Sequence, residues 1–188
     1  MTTNYVTFML LNLAGGLAVL LHFLWKGLDD ATPRHWAPAF GMAGFAAALT
    51  GFAMMGRWPL AGPYNIAFGE MSALFGLLFM GAALSLLLEG SLMPLAVYAV
   101  FAGLAAITVG LRISSLGLTL MPPLATAGYV LTGLGGLLAG PVLVFRKQRL
   151  LRLGAMVSLG LALLIWLMVS LMAYWGHLAE FAAYAPKA

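Results

Sequence analysis

The chain is 188 residues long, 63% hydrophobic and only 7% charged, with a formal charge of +4, whereas ordinary soluble domains are about 25% charged. That composition excludes a soluble globular domain, and the nine Lys/Arg sit mostly at the flanks of apolar runs, which excludes a basic face for nucleic acid. With no cysteine, disulfides, thiolate metal sites, iron–sulfur clusters and a cysteine nucleophile are excluded as well.

Six apolar runs fill the chain: 5–25, 36–56, 64–88, 93–113, 124–145 and 153–176. Each is long enough for a helix of the ~20 residues that span a bilayer's hydrocarbon core, and none alternates as barrel strands do. The fold class is therefore all-α, a six-transmembrane-helix bundle forming one domain over 1–188. The first run is too long for a signal-peptide core and follows no basic residue, so it reads as a retained helix. Loops are short, which makes consecutive helices antiparallel neighbours. With six spans, Arg57, Arg112 and Lys187 share one side, and Lys26, Arg34, Arg146, Lys147, Arg149 and Arg152 share the other. The positive-inside bias then predicts extracytoplasmic termini.

Helix one carries Asn12, Gly15, His22 and Lys26 along one side, and the Asp29-Asp30 and Arg34-His35 pairs that follow read as solvated loop charge. In helix two, Gly44-Phe-Ala-Ala-Ala-Leu-Thr-Gly51 resembles Gly103-Leu-Ala-Ala-Ile-Thr-Val-Gly110 of helix four. The match is either a hairpin repeat or a coincidence of Gly/Ala-rich helices. Helix three begins with Tyr64 and has a small and polar stripe at Asn65, Gly69, Ser72 and Gly76, with Glu70 about 100° away. One of these faces packs and the other is free to line a path. An ionised carboxylate at a span's centre costs upward of about 3 kcal/mol, so Glu70 is expected to be neutral, paired with Arg57 or Arg112, or turned to water.

Helix five holds Gly128, Gly133, Gly135, Gly136 and Gly140, which suit close helix packing, within the bundle or between subunits, or else a glycine-lined path. On helix six, Trp166, Ser170, Tyr174, His177 and Glu180 share one broad face. It reads as an interfacial aromatic belt or as an outer vestibule in which His177 and Glu180 sense external pH. His22 and His177 lie near opposite membrane faces, so no single metal or haem takes both, and no His/Glu cluster has ligand spacing. No metal or cofactor is expected.

The stretch Arg57-Trp-Pro-Leu-Ala-Gly-Pro-Tyr-Asn-Ile-Ala-Phe-Gly-Glu70-Met-Ser-Ala-Leu-Phe-Gly76 resembles the signature of a family of small six-helix prokaryotic membrane proteins of unknown function. Asn12-Leu-Ala-Gly-Gly16, Trp36-Ala-Pro-Ala-Phe40 and Tyr174-Trp-Gly-His177 look like the same family. More distantly, 69–87, Pro94-Leu-Ala-Val-Tyr98 and Ala127-Gly-Tyr-Val-Leu-Thr-Gly133 are similar to acid-gated urea and amide channels, with acetate/succinate transporters sharing the plan. Those resemblances imply a prokaryotic cell membrane and, from the channels, a hexameric homo-oligomer.

The leading expectation is a non-enzymatic channel or facilitator for a small polar solute such as urea, a short amide or a short carboxylic acid. Its path is expected at Asn12, Tyr64, Asn65, Glu70, Arg112, Trp166, Tyr174 and His177. The alternative is a structural or electron-transfer subunit of a larger respiratory-type complex, holding a haem or quinone, with His22 or His177 as a single axial ligand.

Overall fold

A computed structural model describes residues 5–182 and is all-helical over its regular elements. Its helices are α1 (Val6–Trp25), α2 (Ala37–Arg57), α3 (Met71–Leu87), α4 (Met93–Leu116), α5 (Pro122–Val144) and α6 (Arg149–Ala182). Among the described residues six stretches, counting the turn that leads into α3, are long and apolar enough to span a membrane. The outward faces of these helices, with Phe45, Leu49 and Phe52 on α2 and Val97, Phe101 and Leu104 on α4, are exposed and apolar, as lipid requires.

Several ends differ from the apolar runs, each for a local reason. Prolines open α2, α4 and α5, where the missing amide is no loss. Pro122 therefore starts α5 ahead of the run. Left-handed Gly117 (φ 61°) closes α4 later than its charge at Arg112 suggests. α6 has 34 residues, about 50 Å at ~1.5 Å per residue. That exceeds a ~30 Å hydrocarbon core, and it makes α6 the longest of the described helices. The stretch Asn65–Glu70 is a π-helical turn leading into α3.

The helices are arranged as a ring in which α2 with α3 and α4 with α5 pack most closely, while α6 packs about equally on α5 and α1. The first two are built alike. A Cβ on Gly51 would stand 2.5 Å from the Ala73 nitrogen, and one on Gly44 2.6 Å from the Met80 nitrogen. In the second pair, a Cβ on Gly103 would stand 2.6 Å from the Gly133 carbonyl oxygen, and one on Gly110 2.7 Å from the Tyr129 Cβ. The matched Gly44/Gly51 and Gly103/Gly110 motifs therefore do the same job, letting backbones meet where a side chain would hold them apart. Gly136 belongs to the same seam, its added Cβ reaching the Ala99 carbonyl at 2.6 Å, so these glycines serve packing within the bundle.

The α1–α6 pair is closed by a polar device. Arg152, on α6, donates from Nε to the Leu24 carbonyl, from one terminal nitrogen to the Trp25 carbonyl at 2.8 Å, and from the other to Asp29 at 2.6 Å. The last carbonyls of a helix have no intrahelical partner, and a cation there also meets the negative end of the helix dipole. Sequence spacing assigned Arg152 only to topology; its acceptors lie at the end of α1 and in the turn that follows it.

Candidate functional site

Inside the ring lies a cavity of about 240 Å³ to which all six helices contribute. Its wall is almost wholly apolar, made mostly of Leu, Phe, Ala and Gly residues. Apolar cavities of ~150 Å³ stay dry and accept benzene-sized guests, so this volume is sufficient for a larger one.

Aromatic side chains form two chains, of which Phe68, Tyr129, Trp166, Phe75, Phe79, Phe40 and Phe23 line it. Near the end of the bundle that carries Arg57 and Arg112, Tyr64 stacks on Phe68 (6.4 Å, 11°), Phe68 meets Tyr129 at 6.4 Å, and Tyr129 meets Trp166 edge-on at 5.0 Å. Toward the opposite end, Phe75, Phe79, Phe40 and Phe23 follow at 4.0, 5.2 and 5.3 Å, and Phe23 reaches Trp36 at 5.8 Å. Apart from the closer Phe75–Phe79 pair, these separations fall in the range of about 4.5–7 Å that is favourable for rings.

The polar side chains on this wall are already engaged. Tyr129 donates to the Ala67 carbonyl at 2.6 Å, Trp166 to Thr132 at 3.0 Å, Thr132 to the Gly128 carbonyl at 2.7 Å, and Ser72 to the Ala47 carbonyl at 3.0 Å. Ala67 lies within the π-helical turn, where the ordinary i→i+4 ladder is broken and a carbonyl can turn aside to a side-chain donor. The turn thereby ties the start of α3 to α5 beside the cavity.

Of the residues expected along a polar path, only Trp166 lines this cavity. Trp166 is 1% exposed, a core residue rather than a member of an interfacial belt; Trp25, Trp58 and Trp175 are the exposed tryptophans near the bundle ends. Asn12 ties α1 to α2 through the Ala43 carbonyl at 2.9 Å. Asn65, fully buried, holds Leu60 from both sides: its amide donates to the Leu60 carbonyl at 2.5 Å and its oxygen accepts from the Leu60 amide at 3.1 Å. It is a clamp for the α2–α3 loop. Tyr64 is half-buried outside the cavity wall.

Glu70 is half-buried and, among the described residues, has no ion-pair or hydrogen-bond partner for its carboxylate. The expected arginines are occupied elsewhere: Arg57 donates to Tyr5 at 2.9 Å and Arg112 to Ser115 at 3.3 Å. On α3, Gly69 and Gly76 pack against Met54 and Ala48, and Ser72 bonds Ala47, so the small and polar stripe is the face toward α2. Tyr174, His177 and Glu180 lie on the last turns of α6 and do not line the cavity, with His177 Nδ1 and the Glu180 carboxylate 3.4 Å apart. None of His22, His35 and His177 lines the cavity, so none could ligate a haem held there. Among the described residues no group of three His, Asp or Glu is placed to hold a metal ion.

Sequence reasoning missed Phe23, Phe40, Phe68, Phe75, Phe79 and Tyr129 as wall residues. The signal available was the spacing of Phe68, Phe75 and Phe79 at i, i+7 and i+11, one helical face.

A family model described as "Protein of unknown function (DUF981)" matches residues 1–180. The chain belongs to that family. No curated protein and no solved structure matches it.

Proposed function

We propose that this member of DUF981 is a non-enzymatic, multi-pass protein of a prokaryotic cell membrane that takes the apolar body of a molecule from the bilayer into the cavity between its helices. The carrying observation is the wall itself: about 240 Å³ of apolar lining contributed by six helices, with its side-chain donors given to carbonyls or to Thr132. A small polar solute such as urea would need hydrogen-bond partners along its way, because unpaired polar groups in an apolar site cost several kcal/mol, roughly 2–7. The wall favours the apolar guest over the polar-solute facilitator that the sequence suggested. It also favours a quinone-like ring over haem within the alternative reading, since no histidine faces it. The likeness to urea channels rests on short Gly/Ala stretches and carries no part of this reading.

The test uses Trp166, the tryptophan on the wall. In detergent micelles 1-bromooctane should quench a component of the fluorescence that disappears in Trp166→Phe. Equal fractional quenching of wild type and variant would remove the reading.

A further inference from the structure

An apolar wall cannot by itself choose a guest inside a bilayer, because lipid tails are as apolar as leucine. Selection needs a polar contact, and one polar group next to the cavity is unassigned. Glu70 is half-buried within a span, and its carboxylate has no partner among the described residues.

Its direction follows from α3. Gly81 faces α4, since a Cβ there would meet Leu95 at 2.7 Å. Glu70 lies eleven residues earlier, which in an α-helix is about 20° from the same face. Leu74, one turn below Glu70 along that face, lines the cavity. Glu70 is thus placed one turn beyond the wall residue Leu74, on the side of the helix that looks toward α4. These two helices pack against each other less than any other pair of consecutive helices, so this is the loosest seam of the ring. Arg112 does not serve this place; it is exposed, held by Ser115, and about 100° around α4 from Leu95.

We propose that the guest is a single-chain cationic amphiphile, an alkylammonium, that enters from the bilayer between α3 and α4, lays its chain in the cavity and places its ammonium on Glu70. The proposal rests on the apolar-guest reading above. A carboxylate held in a span without a cation is costly, and an incoming ammonium supplies the missing partner by a charge-assisted hydrogen bond. A two-chain phospholipid with an amine head is disfavoured, because its phosphate would bring a second negative charge beside Glu70.

Native mass spectrometry in a neutral detergent at pH 7 can compare decylamine with decanol, which share a chain. Decylamine should be retained at about tenfold lower concentration than decanol, as one charge-assisted bond implies. Glu70→Gln should bring decylamine to the decanol level without changing decanol, while Glu70→Asp keeps the preference. Ala102→Phe, which narrows the cavity, should weaken both. If wild type retains neither ligand, the apolar-guest reading itself falls. If wild type retains both equally, the cavity stands and the cationic assignment is overturned. A tenfold preference persisting in Glu70→Gln would overturn Glu70 as the anchor, and retention of phosphatidylethanolamine in preference to decylamine would overturn the single-chain guest.

Discussion

Replacing Arg152 by methionine tests how the first and last helices are held together. The side chain is 17% exposed and makes two bonds to main-chain carbonyls that end α1, plus one to Asp29, which is 64% exposed. Hydrogen bonds with a charged donor contribute about 1.5–3 kcal/mol each. Two of them amount to about 3–6 kcal/mol, less what water at the bundle end restores to the freed carbonyls, leaving roughly 2–4 kcal/mol. The ion pair with exposed Asp29 adds only about 0–1 kcal/mol. Arg152→Met should therefore lose roughly 2–4 kcal/mol and Asp29→Ala less than about 1. Arg152→Lys, with a compact head that cannot fork between two carbonyls, should fall between. Reversible unfolding by dodecyl sulfate in mixed micelles, followed by circular dichroism, measures all three. Equal losses in Asp29→Ala and Arg152→Met would show that the ion pair, not the capping of α1, closes the ring.

Gly133→Ala places a methyl 2.6 Å from the Gly103 carbonyl oxygen and should destabilise the α4–α5 pair by about 1–3 kcal/mol in the same assay, whereas Gly154→Ala, which meets nothing, should not. Asn65→Leu removes both bonds to Leu60 and should cost about 1–3 kcal/mol, with increased proteolysis in the α2–α3 loop as an independent readout. The Asp30 carboxylate is held below its ordinary value of 3.8 first by the Thr32 amide, then by the Trp36 indole and His35, against an opposing effect of partial burial. A depressed folded-state value stabilises above the unfolded value and is lost as pH falls through the folded one, so acid unfolding below pH 3.8 should be less steep in Asp30→Asn. Cysteines at Thr3 and Gln148 should react oppositely with an impermeant thiol reagent in intact cells, Thr3 from outside, as the positive-inside bias predicts; labelling of Gln148→Cys from outside would reverse the orientation.

The six helices, their number and their antiparallel order were legible because backbone polar groups in lipid must be satisfied within each helix, so every span is a long apolar run. The matching glycine motifs of α2 and α4 were visible in sequence but left open as a repeat or a coincidence; the structure supplied their packing role and their counterparts on α3 and α5. Chain ends set by a proline or a left-handed glycine lay at the margins of those runs, where hydropathy alone is blunt. The cavity was not legible. In a soluble bundle the inward face is the apolar one, but here Phe75 faces the cavity and Phe101 faces outward with the same chemistry, so periodicity carries no contrast. Polar residues stood out against that background, yet their partners did not. Asn12, Asn65 and Arg152 each satisfy main-chain groups far away or across a loop, while Glu70 among the described residues satisfies none. A polar side chain in a span is conspicuous in sequence because it is costly there; whether that cost is met by the fold or left for a ligand depends on which carbonyls and cations the tertiary structure brings within about 3 Å.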